Sequence, residues 1–156
     1  MTSALASHVQ DCPLCQGAGG RLVWQGERDG AALRVIHAQE VGFPAFYRVV
    51  WAAHVGEFSD LSAAERQWCM DAVVAVELAL RAITPAPLKI NVAALGNMVQ
   101  HLHWHVIARY SDDSHFPASV WAPAQRERNA SLEAALAAQL PAAEACMVAK
   151  LDRLLA

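Results

Sequence analysis

The sequence predicts an α+β fold: a mostly antiparallel sheet of about five strands, with one main helix and a C-terminal helix. Three observations lead there. Five short runs rich in β-branched and aromatic residues alternate with Gly- and Pro-containing turns. One longer stretch carries apolar residues at helical spacing behind a capping signal. An Ala- and Leu-rich tail closes the chain. The 156 residues amount to one domain at roughly 150 residues per domain.

The elements follow in order. Residues 1–11 form a ragged end. Cys12, Pro13, Leu14 and Cys15 come next, and Gly17, Gly19 and Gly20 read as a tight turn. Residues 21–25 and 33–37 are β-like, separated by the turn-prone segment 26–30. Pro44 opens a third run, 46–51. Ser62 and Glu65 then form a capping-box pattern, with Leu61 before the cap as a staple residue. Apolar residues recur at helical spacing over 68–83, and Thr84-Pro85-Ala86-Pro87 stops that helix. Residues 89–95 read as a strand, Gly96-Asn97 as a turn or bulge, and 101–110 as the clearest strand. A loop with Asp112, Asp113, Pro117 and Pro123 follows. Residues 131–156 are helical, with Pro141 splitting or kinking them. This organises the chain as an N-terminal segment 1–20, a central domain 21–122 and a C-terminal helical extension 123–156.

Composition excludes several classes. Hydrophobic residues make up 55% and charged residues 17%, which is incompatible with intrinsic disorder. The net charge is −3 and no basic run occurs, which argues against nucleic acid as a partner. No apolar stretch reaches the roughly 20 residues of a membrane helix. Met1 to Gln10 carries no signal-peptide pattern. A cytoplasmic location is expected, and the four cysteines are then thiols or metal ligands.

The most informative segment is His101-Leu102-His103-Trp104-His105-Val106-Ile107. Strand side chains alternate, so the three histidines share one face while Leu102, Trp104 and Val106 take the core face. At about 3.3 Å per residue, His101 and His105 lie roughly 13 Å apart, too far for one metal to collect all three. The histidines must play different roles. Neutral imidazole is a good nucleophile near pH 7, and attack on phosphorus gives a phosphoramidate that water can hydrolyse. A second His nearby can donate to a phosphate oxygen. The preceding 96–99 turn can aim backbone N–H groups and the Asn97 amide at the same phosphate.

This His-φ-His-φ-His-φ-φ pattern, with Gly96-Asn97-Met98-Val99 before it and Arg109 after it, resembles the signature of the histidine triad (HIT) superfamily of nucleotide hydrolases and transferases. Residues 21 to about 121 resemble the HIT domain. Asp112 to Pro117, with Val120-Trp121, resembles a proteobacterial subgroup labelled diadenosine tetraphosphate hydrolase-like. The resemblance implies that His103 is the nucleophile that becomes nucleotidylated. It implies that His105 contacts the α-phosphate and assists the leaving group, that His101 orients the row, and that Asn97 contacts phosphate. Met98 stands where many members have Ser or Thr, and Phe46 where many have another His. Gln39 and Glu40 are candidates for the ribose contact, and Trp121 for the nucleotide pocket. The resemblance further implies a twofold homodimer.

Cys12 and Cys15 have the spacing of two zinc ligands; a redox pair and unpaired thiols are the competing readings. Some members of the resembled family carry such a pair, completed by a His after the third strand and by the first His of the triad. The matching positions are His54 and His101, and zinc held there would be structural. Cys69 and Cys146 read as core residues, His8 as idle and His37 as a strand residue. His115 lies in a loop that could reach the site. The expected activity is cleavage of a nucleoside polyphosphate, dinucleoside polyphosphate or nucleoside phosphoramidate through a nucleotidyl-His103 intermediate, with no organic cofactor. The rival readings are a non-catalytic nucleotide sensor and a zinc-stabilised interaction protein.

Overall fold

A computed structural model describes residues 8–156. Most of the Met1 to Gln10 stretch read for a signal peptide, and most of the ragged end, therefore lie outside the described residues. The elements are α1 (Pro13–Gln16), β1 (Arg21–Arg28), β2 (Ala31–His37), β3 (Phe46–Trp51), α2 (Ala63–Arg81), β4 (Lys89–Ala93), β5 (His103–Arg109) and α3 (Ala130–Asp152). The five strands form one sheet in the order β1-β2-β3-β5-β4. Every neighbouring pair is antiparallel.

Alternation sorts the sheet into two buried faces. On β3, Tyr47, Val49 and Trp51 enter the main core, while Phe46 and Val50 enter two smaller clusters on the other face. On β5, Val106, Ala108 and the partly buried Trp104 face the main core. Trp68, Val73, Val76 and Leu80 of α2 pack there, with Leu136, Met147 and Leu151 of α3. Each such aliphatic side chain contributes about 1.5–3 kcal/mol by leaving water. Helix α2 starts where the capping box places it: the Ser62 hydroxyl accepts from the Glu65 N–H at 3.3 Å, and the Glu65 carboxylate accepts from the Ser62 N–H at 2.7 Å.

Several expectations are corrected. The β1–β2 turn is not 26–30 but Asp29-Gly30, with φ of +53° and +81°, the pair of positive φ angles that a tight hairpin turn demands. Gly26 instead pairs with Leu33 inside the ladder, and a Cβ there would strike the Trp24 ring. Strand β4 ends at Ala93 rather than 95, and the β5 ladder starts at His103 rather than 101. Pro141 does not split the last helix, which runs unbroken through it. The carbonyl that Pro141 cannot serve belongs to Ala137, which is exposed and so open to water. Helix 130–155 is also long and apolar enough, by length and composition, to cross a membrane, because its many alanines count as apolar; Leu136, Ala143, Met147 and Leu151 nonetheless pack into the core.

Three polar ties hold α3 to the sheet. The Trp24 indole N–H donates to Asp152 at 2.8 Å. The Tyr47 hydroxyl donates to Glu144 at 2.8 Å, and Arg21 forks onto the same carboxylate. The segment 123–156 thus shares the core of the sheet.

Candidate functional site

Strand β5 places His103 and His105 side by side on the face opposite α2, their rings edge to face with centroids 4.8 Å apart. His101 lies before the ladder. Its backbone N–H reaches Val99 and the Leu102 N–H reaches Val55, yet the alternation continues: Leu102 joins the main core and His101 is buried on the histidine face.

Hydrogen bonds select the tautomers. His103 Nδ1 lies 2.6 Å from the His101 carbonyl, and a carbonyl only accepts, so Nδ1 carries the proton. That leaves Nε2 of His103 as the lone-pair nitrogen, on a ring that lines a cleft. His105 is set the opposite way. Arg48 Nε donates to His105 Nδ1 at 3.4 Å, so the proton of a neutral His105 ring sits on Nε2. Burial lowers the His103 pKa, opposed by its backbone bond and assisted by Arg48. Burial, His103 and Arg48 together bring His105 down to about 3. Near pH 7 the pair therefore consists of a nucleophilic nitrogen beside an N–H donor.

The cleft has a volume of about 580 Å³ and is lined mainly by apolar groups from three segments. Pro13, Leu14 and Gly19 come from the N-terminal segment, Leu95 to Val99 from the loop after β4, and Trp121 from the loop after β5. Asn97 and Met98 both line it, and Met98 is 95% exposed. Trp121 stands edge-on to His105 with centroids 4.9 Å apart. Its loop is shaped by a buried knot: Arg109 donates to Asp113 through Nε and Nη2, to Asn91 and to the Ala118 carbonyl. Phe46 packs against both His105 and Trp121. Gln39 takes a positive φ of +56° and is exposed outside the cleft lining. Glu40 comes nearer, 3.8 Å from the Arg48 guanidinium.

A second cluster lies behind the histidine pair. Cys12, Cys15, His54 and His101 bring their ligand atoms within 4.8 Å of one another. His101 Nδ1 is 3.4 Å from Cys12 Sγ and 3.5 Å from Cys15 Sγ, and His54 Nδ1 is 3.4 Å from Cys15 Sγ. Tetrahedral zinc, with bonds of about 2.3 Å to sulfur and 2.0–2.1 Å to nitrogen, separates S and N ligands by roughly 3.5 Å. His101 Nε2 donates to the Trp51 carbonyl at 2.6 Å, which turns the Nδ1 lone pair toward the sulfurs and supplies the outer partner a metal-bound imidazole needs. The four residues fit a structural zinc, with no position left for substrate.

The remaining histidines stand apart. His37 donates to the Pro44 carbonyl and accepts from the Gln39 N–H. His115 bonds Ser114 and packs on Phe43, away from the cleft lining. His8 is not idle, since its Nε2 lies 3.1 Å from the Cys15 carbonyl. Sequence reasoning passed over Arg48, whose signal was a lone charge in an otherwise apolar strand. It also passed over Arg34, which donates to the carbonyls of Leu14, Gly17 and Ala18 and so clamps the Cys-x-x-Cys segment onto β2.

Comparison with known proteins agrees with this geometry. A family model described as the HIT domain matches residues 30–112, just over half of the chain. Among solved structures, a histidine triad protein from Bradyrhizobium japonicum is 27% identical, with a TM-score of 0.55 over 81% of this chain and 84% of that one. A histidine triad protein from Marinobacter aquaeolei is 24% identical, with a TM-score of 0.60 over 88% and 92%. A zinc-bound histidine triad family protein from Mycobacterium smegmatis is 19% identical, with a TM-score of 0.53 over 85% and 86%. No curated protein sequence matches the chain.

Proposed function

The chain belongs to the HIT domain family, and from that premise we propose that it is a nucleotide hydrolase or transferase working through a nucleotidyl-His103 intermediate. The observation that carries this reading is the pairing of opposite tautomers: His103 with Nε2 unprotonated, His105 with Nε2 protonated. In the first step the His103 Nε2 lone pair attacks the α-phosphorus. The bond from phosphorus to the leaving group breaks, and the leaving group departs with that electron pair, an amine taking up a proton from solvent as it leaves. His105 Nε2–H donates to a phosphate oxygen, stabilising charge where it develops. In the second step water attacks phosphorus, the P–Nε2 bond breaks, a proton passes to solvent and the nucleoside monophosphate leaves. His101 orients His103 through its backbone carbonyl.

Asn97 and Trp121 line the cleft as phosphate and nucleoside contacts. Met98 offers no hydroxyl, so the leaving group finds no donor there. Zinc on Cys12, Cys15, His54 and His101 would supply structural cross-linking. The outer edge of β4 has no strand partner among the described residues, and Leu88, Val92 and Leu95 are exposed beside it; this edge supports a twofold homodimer. The Asp112 to Pro117 tract supports placement with the diadenosine tetraphosphate hydrolase-like proteins. The test is release of AMP from an adenosine 5′-phosphoramidate and from diadenosine tetraphosphate. Turnover by wild type and a loss of at least about 10³-fold in His103→Ala is expected. Turnover that persists in that variant sinks the assignment.

A further inference from the structure

The cleft is built to receive phosphate, yet its lining holds very little charge. Of the twelve residues that line it, none is a lysine, aspartate or glutamate, and Arg48 is the one arginine. Guanidinium stays protonated throughout the physiological range. Arg48 sits on β3 directly opposite His105 in the ladder, with its side chain 22% exposed.

Its five N–H groups are lightly used. Nε serves His105 at 3.4 Å. One Nη1 hydrogen leans on the Gly19 carbonyl at 3.4 Å. Glu40 stands off at 3.8 Å and is itself half exposed, so it can yield to a stronger anion. The remaining Nη hydrogens are left for a ligand in the cleft. The guanidinium also stacks over Phe46 at 5.2 Å, which restrains its plane. Arg48 is displaced from His103 by two residues along the sheet and one strand across it. It therefore borders the α-phosphate position without occupying it, and the next phosphate of a chain falls within its reach.

We propose that Arg48 is the anion-recognising residue of this cleft. It engages a phosphate beyond the α-phosphorus, and it selects nucleoside polyphosphates, whose leaving group is anionic, over substrates that release a neutral amine. This rests on the reading of the cleft as a nucleotide site. Two effects separate in the Arg48→Met variant. Loss of the bond to His105 weakens turnover of every substrate, by about tenfold. Loss of the charge removes a further tenfold or more from polyphosphates alone, since an added charge pair at 5–6 Å in a half-buried site is worth one to two orders of magnitude.

The experiment has two arms. The first compares kcat/KM for diadenosine tetraphosphate and for an adenosine 5′-phosphoramidate, in wild type, Arg48→Met and Arg48→Lys. The expected result is a loss of about 100-fold against about 10-fold in Arg48→Met, with Arg48→Lys recovering part of the difference. Equal losses on both substrates would reduce Arg48 to a support for His105 and overturn the proposal. The second arm measures equilibrium binding of AMP, ADP and ATP in magnesium-free buffer. Wild type is expected to bind ATP at least tenfold tighter than AMP, and Arg48→Met to bind them alike. A flat series in wild type overturns the proposal, even if Arg48→Met fails to fold. If neither substrate turns over while the binding series holds, the hydrolase reading fails and the Arg48 assignment stands.

Discussion

Stripping metal from the Cys12, Cys15, His54 and His101 cluster is expected to release one segment and spare the rest of the fold. Holding residues 12–20 in one conformation costs roughly 1–2 kcal/mol per residue, on the order of 10 kcal/mol in all. Two kinds of contact oppose that cost. Burial of Leu14, which is 7% exposed, contributes about 2–3 kcal/mol. The Arg34 bonds to three carbonyls contribute about 1–1.5 kcal/mol each. The contacts fall short by a few kcal/mol, a difference that zinc on the four ligands would make up. Without it the segment should undock, taking Pro13, Leu14 and Gly19 out of the cleft wall. The main core should persist, because Cys12 and Leu14 belong to a separate small cluster with Ile36 and Val50. The assay is amide hydrogen exchange on purified protein before and after chelation, with metal content measured, alongside Cys12→Ser. Protection should vanish over 12–20 and remain on α2 and β3. Retained protection over 12–20 after verified metal loss, or cooperative unfolding of the whole chain, would refute the reasoning.

Two further predictions concern stability. Glu144→Ala leaves the fully buried Tyr47 without its hydroxyl acceptor, which should cost about 1.5–3 kcal/mol, while the half-exposed Arg21 pair adds at most about 1. Urea unfolding checks it, and adding Tyr47→Phe should recover part of the loss; strict additivity would contradict the coupling. Asp113 gives an acid-side prediction. Burial raises its pKa, but the Arg109 bond and the N–H groups of His115 and Tyr110 outweigh burial and hold it below the usual carboxylate value. Its contribution is thus complete above about pH 4 and is lost as pH falls through the depressed folded value. Urea midpoints between pH 5 and 2 should fall more steeply in wild type than in Asp113→Asn; equal slopes would remove Asp113 from the account.

The parts of the site legible in sequence were those with a period or a spacing. Alternation placed His101, His103 and His105 on one face, and the Cys12–Cys15 spacing supplied half of a ligand set. The capping box located the start of α2. What stayed hidden depends on meetings across the sheet. Arg48 acquires its meaning only from the ladder that sets it opposite His105. The Arg109–Asp113 knot depends on a loop closing back on its strand. Gly26 looked like a turn because glycine is common in turns, whereas here Trp24 occupies the space that a side chain would need. Pro141 looked like a break, but the carbonyl it strands belongs to an exposed residue, Ala137.

The most direct test of the central claim is intact-mass and peptide mass spectrometry after mixing with an adenosine 5′-phosphoramidate, quenched at neutral to alkaline pH because a phosphorus–nitrogen bond on histidine hydrolyses in acid. The account predicts an added AMP on wild type, localised to the peptide that carries His103 and missing from His103→Ala. AMP added at another residue, or an equal adduct in His103→Ala, would contradict it.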